Sequence, residues 1–141
     1  MRVAVLGSTG SIGRQALEVL AGLEDGFEVV ALAAASRGAE LADQAAAARP
    51  RIVAVADRTV RAGLIVPAGT EVDDSEDGLL RLATLEDVDM VVVGTTGIVS
   101  LGPVLAALGA GKIVATANKE TLVAGGHLVM AIASARAAEV A

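Results

Sequence analysis

The sequence predicts an α/β fold in which a doubly wound, mostly parallel sheet carries helices on both faces. Short runs of Val, Ile, Leu and Ala recur along the chain and alternate with helix-like segments. Runs that are apolar throughout are typical of parallel strands that are buried on both faces. Glycine-containing turns follow two of these runs directly, at 7–13 and 94–97. The length of 141 residues suits a buried core, and we expect residues 1–141 to form one domain.

The composition restricts both the core and the partners. Hydrophobic residues make up 54% of the chain but aromatic residues only 1%, so the core must be built from small aliphatic side chains. The net charge of −6 argues against a protein that binds nucleic acid without sequence preference, because such binding needs a basic face. The sequence has no cysteine and no uncharged run long enough to span a bilayer. We expect a cytoplasmic protein with no nucleic-acid or membrane partner.

The first strand and the turn after it carry the clearest functional signal. Val3–Leu6 is a short apolar strand, glycines follow at Gly7, Gly10 and Gly13, and a helix is predicted to open near Ser11. A turn without β-carbons lets backbone N–H groups approach a diphosphate, and the positive end of the helix points to the same place. The G-x-x-G-x-x-G spacing differs by one residue from the commoner G-x-G-x-x-G. The alternative is therefore a glycine-rich helix start that binds nothing, but the strand-turn-helix context favours a Rossmann-like dinucleotide site.

The end of the second predicted strand, Phe27–Ala34, indicates which cofactor would bind. NAD-binding Rossmann proteins place an acidic residue here, where it accepts hydrogen bonds from the adenosine ribose. This chain has Ala35, Ser36 and Arg37 instead. A guanidinium suits a 2′-phosphate, because it can bind phosphate through two parallel hydrogen bonds. The pattern favours NADP over NAD, and the alternative is that Arg37 is a solvated residue in the first turn of the next helix.

The central elements follow in order. The sequence predicts a helix over 38–48, ending before Pro50, and a strand over 52–55 that completes a βαβαβ half. Residues 56–77 show no clear element but contain an acidic cluster, made of Glu71, Asp73, Asp74, Glu76 and Asp77. Its D-x-D spacing resembles a calcium ligand pattern, but no EF-hand-like loop follows. We expect the cluster to cap the helix predicted over 78–83 or to face water.

A second strand-to-turn unit lies at 89–97. Val91–Val93 would form the strand, and the turn after it should lie beside the first turn, because ligands in parallel sheets bind at the carboxyl ends of the strands. A helix that includes Pro103 in its first turn should follow. Lys112–Ala115 is predicted to be a strand, again followed by polar residues, and a last helix is predicted over about 119–138.

Three segments, GSTGSIG, VVALAA and ATANKETLVAGG, closely resemble the N-terminal NADPH-binding domain of 1-deoxy-D-xylulose 5-phosphate reductoisomerases. GSTGSIG is also similar to other reductases, such as aspartate-semialdehyde dehydrogenases, but its combination with ANKE is much more specific. The resemblance implies an NADPH-dependent oxidoreductase of isoprenoid-precursor biosynthesis. Such an enzyme rearranges 1-deoxy-D-xylulose 5-phosphate with a divalent metal, Mg²⁺ or Mn²⁺, and reduces the resulting aldehyde to 2-C-methyl-D-erythritol 4-phosphate.

The resemblance also implies roles for individual residues. The cofactor phosphates and adjoining groups would be held by Thr9, Gly10, Ser11 and Ile12. The 2′-phosphate would lie at Ala35, Ser36 and Arg37, where this sequence departs from the Gly, basic or small residue, and Asn that the family often has. The nicotinamide half would face Asn118 and Glu120. Lys119 would reach the substrate, where its cation can sit at a phosphate or a developing oxyanion.

The resemblance does not include the parts of the family that complete the enzyme. A PVDSEH-like motif, whose carboxylates bind the metal, and the catalytic and C-terminal domains are not in this sequence. We therefore expect these 141 residues to hold no catalytic and no metal-binding residue, and to bind NADPH without turnover. The alternatives are a stand-alone module that senses NADP(H) or a nucleotide, and a domain of another NADP-dependent reductase. Apolar surface left by missing partner domains would favour association, for instance as a homodimer.

Overall fold

The computed structural model describes residues 1–23, 26–95 and 98–116. These residues contain six strands: β1 (Arg2–Leu6), β2 (Glu28–Ala34), β3 (Ile52–Val55), β4 (Glu71–Asp73), β5 (Met90–Val93) and β6 (Ile113–Thr116). The strands form one sheet in the order β4-β3-β2-β1-β5-β6, and every neighbouring pair is parallel. From β1 the chain adds β2, β3 and β4 on one side of the sheet, and then β5 and β6 on the other side. A topological switch point therefore lies between β1 and β5.

Helices cover both faces of this sheet. They are α1 (Ser11–Gly22), α2 (Gly38–Ala48), α3 (Arg58–Arg61), α4 (Gly78–Ala83) and α5 (Leu101–Gly109), which a 3₁₀ turn (Ile98–Ser100) precedes. One core layer contains side chains of α1, α2 and α3, and the other contains side chains of α4 and α5. The predicted doubly wound α/β fold is therefore confirmed. No helix in the described residues is long and apolar enough to cross a membrane.

The core consists of aliphatic side chains, as the composition predicts. Alternate residues of β1 enter the two layers, with Val5 packed in the layer of Leu41 and Leu6 in the layer of Leu82. All four of these side chains are fully buried. The chain's sole aromatic residue, Phe27, is 39% exposed beside β2 and adds little to the core. Small side chains let the helices approach the sheet closely, which is what the glycine contacts described below require.

Most of the predicted elements agree with the structure, and the segment 56–77 is the main exception. The helices predicted over 38–48 and 78–83 and the strand over 52–55 have the predicted bounds. Residues 56–77 contain two unpredicted elements, the single-turn helix α3 and the edge strand β4. The last helix, predicted over 119–138, lies outside the described residues.

The expectation that the acidic cluster caps a helix or faces water is wrong for Asp73, whereas Glu71 is exposed as expected but is also paired. Glu71 and Asp73 lie on β4, and both carboxylates accept hydrogen bonds from Nη1 of Arg81 on α4, at 2.7 and 2.9 Å. Asp73 is only 8% exposed, and its Oδ1 also accepts hydrogen bonds from the backbone and hydroxyl of Ser75. The physical reason is that an edge strand can carry charged residues when a neighbouring arginine pairs with them. The cluster therefore joins β4 to α4.

Candidate dinucleotide-binding site

A cleft of about 570 Å³ opens at the carboxyl edge of the sheet, between the loops that follow β1, β2, β3, β4 and β5. Among its walls are six of the residues that the sequence assigned to the cofactor: Thr9, Gly10, Ser11, Ala35, Ser36 and Arg37. The seventh described residue of that set, Ile12, points its side chain into solvent from α1 and is 41% exposed. A contribution from Ile12 would come from its backbone amide. The structure thus brings the two predicted parts of the site together.

Two of the three motif glycines allow backbones to meet. Gly7 has a φ of +76°, and a Cβ placed on it would lie 2.7 Å from the amide nitrogen of Thr95. A Cβ on Gly13 would lie 2.1 Å from the carbonyl oxygen of Gly7, and one on Gly94 would lie 2.8 Å from the nitrogen of Gly13. Contacts this short leave no room for a side chain. The second turn therefore lies against the first, as predicted, and glycines on both sides make this possible.

Gly10 is the motif glycine that has room for a side chain within the fold. A Cβ there would meet the carbonyl oxygens of Gly7 and Gly94 at 3.5 and 3.6 Å, which are ordinary contacts. Gly10 also lines the cleft and is the N-cap of α1, with a φ of −77°. The amides at the start of α1, from Ser11 to Gly13, have no intrahelical acceptors, and the first intrahelical hydrogen bond runs from the amide of Arg14 to Gly10. The helix has no acidic residue in its first turn. This is a favourable place for an anion.

A side chain of α2 and one from the residue just before that helix hold the first turn in position. Nη1 of Arg37 donates a hydrogen bond to the carbonyl oxygen of Thr9 at 3.2 Å, and Nε2 of Gln44 donates one to the carbonyl oxygen of Ser8 at 2.8 Å. On the opposite side, the amides of Gly7 and Ser8 both donate to the carbonyl oxygen of Ala33 at 2.8 Å. The loop after β1 is therefore fixed by β2 and by the helix that follows it.

The end of β2 combines a cation with neutral small side chains. Arg37 follows Ala34, Ala35 and Ser36, and its side chain is 57% exposed toward the cleft mouth. A carboxylate is nearby on α2: Oε1 of Glu40 lies 3.8 Å from Nη1 of Arg37, and its Oε2 lies 3.8 Å from Nη1 of Arg14. A guanidinium has five N–H donors, so Arg37 can bind Thr9 and still offer donors to an anion.

The far wall of the cleft contains residues that the sequence did not identify. They lie at the end of β3, after β4 and after β5, and they are Ala54, Val55, Ala56, Ser75, Glu76, Gly78, Leu79 and Val99, whereas Gly94 and Thr95 on the same wall belong to the predicted second turn. Most of those near β3 and β4 were missed because β4 itself was not predicted. One available signal was the small residue Gly78 at the start of a predicted helix. A Cβ there would lie 3.2 Å from that of Ala54, so a small residue is needed where α4 crosses β3.

The buried charges of the described residues lie outside this cleft. Hydrogen bonds from Ser75 and then Arg81 hold the pKa of Asp73 below its ordinary value. Burial lowers the pKa of Lys112, whose Nζ donates to the carbonyl oxygens of Leu85 and Val88 below the start of β6. Within residues 1–23, 26–95 and 98–116, no group of three His, Asp or Glu side chains converges to hold a metal ion. Asp73 and Lys112 therefore stabilise the fold through hydrogen bonds to neighbouring loops and to α4.

The residues assigned to the nicotinamide and the substrate follow β6. Asn118, Lys119 and Glu120 lie outside the described residues. The register of β6 places Thr116 beside Val93 of β5, so the described chain ends at the carboxyl edge of the sheet.

Comparison with known proteins identifies the family of this fold and site. The sequence profile of the family described as 1-deoxy-D-xylulose 5-phosphate reductoisomerase matches residues 3–126. The reductoisomerase of Heliobacterium modesticaldum is 49% identical over 144 residues, which cover 96% of this chain and 36% of that protein.

Solved structures agree with this match. The 1-deoxy-D-xylulose 5-phosphate reductoisomerase of Zymomonas mobilis in complex with NADPH has a TM-score of 0.86 at 31% identity, over 99% of this chain and 37% of that one. A DOX-P reductoisomerase in complex with NADPH, fosmidomycin and magnesium gives 0.86 at 32% identity, over 99% and 35%. This chain spans between 35% and 37% of the length of these three relatives. Since the family profile matches most of its residues, the chain belongs to the 1-deoxy-D-xylulose 5-phosphate reductoisomerase family.

Proposed function

We propose that this chain binds NADPH in the cleft and serves as the cofactor-binding part of a 1-deoxy-D-xylulose 5-phosphate reductoisomerase. The observation that carries the proposal is the position of Arg37. Its guanidinium lies at the end of β2, hydrogen-bonded to Thr9 at 3.2 Å, where the neighbouring residues Ala35 and Ser36 are uncharged. A ribose 2′-phosphate would find a bidentate donor there, and a ribose hydroxyl would find no carboxylate.

The diphosphate would lie at the start of α1. Gly10 lines the cleft, and its missing side chain leaves room for an anion beside the amides of Ser11 and Ile12. These amides lack intrahelical acceptors, and the helix dipole places partial positive charge at the same point. The residues at this end of the cleft therefore fit the group that the proposal assigns to them.

The adenine would occupy the far part of the cleft. Small apolar residues, Ala54–Ala56, lie at the end of β3 and just after it, and Leu79 of α4 lies on the same wall. Apolar walls with a few polar groups are typical of nucleotide pockets, and a volume of about 570 Å³ is in the usual range for a ligand of this size. Ser75 and Glu76 supply the polar groups on this side.

The nicotinamide half would extend past Gly94 and Thr95 toward the end of β6, where the sequence places Asn118 and Glu120. We propose that Lys119 reaches the substrate phosphate or oxyanion from the same loop. NADPH, when bound, would supply the hydride that reduces the aldehyde. The residues of this chain would bind and orient the cofactor, and β5 and β6 would carry the loops that face its reactive end.

The described residues do not fit the divalent metal of the proposed full reaction. Glu71 and Asp73 are the most closely spaced carboxylates on one strand, and both already pair with Arg81 at the edge β4. That edge is separated from β6 by four strands. We therefore assign no metal ligand here, and we propose that the rearrangement depends on the part of the family fold that this chain does not span.

A fluorescence titration tests the proposal. The chain has no Trp and no Tyr, so the emission of NADPH itself can be followed without interference from the protein. Saturable enhancement that NADP⁺ reverses is expected, and addition of 1-deoxy-D-xylulose 5-phosphate and Mg²⁺ should cause no steady loss of the NADPH absorbance. Absence of saturable binding would overturn the cofactor assignment. Substrate-dependent oxidation would overturn the assignment of the rearrangement to the rest of the fold.

A further inference from the structure

Gln44 contacts the loop that would hold the cofactor phosphates, although it does not line the cleft. It lies on α2, and its Nε2 donates a hydrogen bond of 2.8 Å to the carbonyl oxygen of Ser8. Ser8 is fully buried beneath the turn, and Gln44 is itself partly buried. The contact therefore joins a side chain of α2 to the main chain of the glycine-rich loop over 36 residues of sequence.

The carbonyl oxygens of Gly7, Ser8 and Thr9 all accept hydrogen bonds from other groups of the protein. The oxygen of Gly7 accepts from the amide of Gly10 at 3.2 Å, and the oxygen of Thr9 accepts from Arg37. The oxygen of Ser8 accepts from Gln44. In a trans peptide the carbonyl group and the following N–H point in opposite directions. Anchoring the Ser8 carbonyl toward α2 thus directs the Thr9 amide away from α2, and Thr9 lines the cleft.

We propose that Gln44 is a positioning residue for the cofactor: it fixes the Ser8–Thr9 peptide so that the Thr9 N–H faces the diphosphate. This inference rests on the proposed NADPH binding. A carbonyl turned toward the phosphates would repel them, whereas an amide attracts them. Gln44 accordingly acts through the loop, without touching the cofactor.

The other atom of the Gln44 amide shows that stability alone does not account for this residue. Its Oε1 is buried and has no hydrogen-bond partner among the described residues. A buried acceptor without a partner costs about 1–3 kcal/mol, and an apolar side chain of similar length would remove that cost while leaving the carbonyl oxygen of Ser8 unpaired, so the two costs largely offset each other. The feature that such a side chain would lack is the donor to Ser8.

Two substitutions distinguish the hydrogen-bond donor of Gln44 from the volume of its side chain. Gln44→Met keeps the length and removes the donor, and Gln44→Glu replaces the donor by an acceptor that regains a proton in acid. Ala46→Glu is the matched control, because it adds the same charge on an exposed position of α2. Binding of NADP⁺ should be measured from pH 8 to pH 5 and expressed relative to the wild type, since the 2′-phosphate also titrates in this range. The charged neighbours Arg14, Arg37 and Glu40 are the same in every variant.

We expect Gln44→Glu to bind NADP⁺ about tenfold more weakly than the wild type at pH 8. The substitution removes the neutral hydrogen bond to Ser8 and places a carboxylate against its carbonyl oxygen, which repels it. The relative loss should shrink as pH falls toward 5, because partial burial and the facing Ser8 carbonyl raise the pKa of the introduced carboxyl group, whose protonated form donates to Ser8 again. Gln44→Met should bind NADP⁺ several-fold more weakly than the wild type at every pH, with a Tm close to that of the wild type, because one unpaired acceptor replaces another. Ala46→Glu should follow the wild type.

Equal affinities of Gln44→Glu, Ala46→Glu and the wild type at pH 8 would overturn the inference, as would a loss in Gln44→Glu that does not recover in acid. A readout without cofactor distinguishes this from failure of the proposed function. In ¹⁵N spectra of the free protein, the Thr9 amide resonance should shift in Gln44→Met and stay in place in Ala46→Glu. If the wild type binds no NADP⁺, this shift alone decides the role of Gln44, and an unshifted Thr9 resonance overturns it.

Discussion

Arg37 and Thr9 are joined by a hydrogen bond from Nη1 of the guanidinium to the main-chain carbonyl oxygen, at 3.2 Å, across 28 residues of sequence. The segment that follows β2 thereby holds the loop that follows β1. The proposed 2′-phosphate and diphosphate sites are therefore connected through Arg37, which contributes to both. Its substitution should therefore affect the two ends of the cofactor to different extents.

Replacement of Arg37 by Ala should weaken NADPH binding by about 10- to 100-fold, the loss expected for charge-assisted hydrogen bonds. NADH binding should fall only a few-fold, because NADH lacks the 2′-phosphate but still meets the loosened loop. Calorimetric titration with both cofactors measures this. Arg49→Ala is the control for lost charge, since Arg49 follows α2 at the opposite edge of the sheet. Equal losses for NADPH and NADH would contradict the assignment of the 2′-phosphate to Arg37.

Glu40 should oppose NADPH binding. Its carboxylate lies 3.8 Å from the guanidinium groups of both Arg37 and Arg14, so it competes with a phosphate for the same cations. Glu40→Gln should tighten NADPH binding by about 2- to 5-fold, the modest effect expected of exposed ion pairs. Asp43→Asn, on the same helix and exposed, removes the same charge and should change the affinity less. An equal gain in the two variants would show that only net charge matters.

Gly10→Val should abolish most cofactor binding and leave the fold intact. A Cβ at Gly10 makes only ordinary contacts, the closest at 3.5 Å, but the rest of the side chain would enter the space proposed for the diphosphate. The Tm should stay within a few degrees of the wild type, and the NADPH affinity should fall at least about tenfold. Full binding by a folded Gly10→Val protein would mean that the phosphates lie elsewhere.

Gly13→Ala should show the opposite pattern, a loss of stability. A Cβ there would lie 2.1 Å from the carbonyl oxygen of Gly7, so the backbones of β1 and α1 would have to separate. Forced overpacking of this kind costs about 1–3 kcal/mol or more in the free energy of unfolding. Gly22→Ala, at the open end of the same helix, meets nothing within 4 Å and should be neutral or stabilising. Chemical denaturation of both proteins makes the comparison, and equal stabilities would refute the close-approach account.

Asp73→Asn should lower the free energy of unfolding by about 1–3 kcal/mol at pH 7, since it weakens bonds of a buried carboxylate to Ser75 and Arg81. The pKa of Asp73 is lowered in the folded protein, so its stabilisation is present above the unfolded value, near 4, and is lost as pH falls through the folded value. The difference between wild type and Asp73→Asn should therefore narrow below about pH 4. Asp74→Asn, outside the Arg81 cluster, is the control, and a difference that does not depend on pH would contradict this account.

The buried strands and the two glycine turns could be predicted from the sequence because their pattern is local. Val3–Leu6 and Ile52–Val55 are apolar throughout, as strands covered on both faces must be. The strand β4 could not be predicted, because its sequence is Glu-Val-Asp and its charges are stabilised by Arg81, which lies on another element. That partnership depends on the tertiary fold. The cleft wall beyond β3 was missed for the same reason.

The sequence predicted which loops would meet at the cleft, but not the contacts that their residues make. Spacing alone indicated that the turns at Gly7 and Gly94 meet, and that Arg37 lies near them. It could not show that Gly7 and Gly13 allow backbones to approach closely while Gly10 faces the cleft, since all three are glycines of one motif. Nor could it show the contact of Gln44 with the loop, which depends on how α2 packs beside β2.

Isothermal titration of this chain with NADPH and with NADH is the most direct test of the central claim, that the cleft recognises a 2′-phosphorylated dinucleotide through Arg37. The account predicts binding of NADPH with one site per chain and an affinity at least about tenfold higher than that for NADH, the difference expected of one charge-assisted contact. Equal affinities for the two cofactors, or no binding of NADPH, would contradict it.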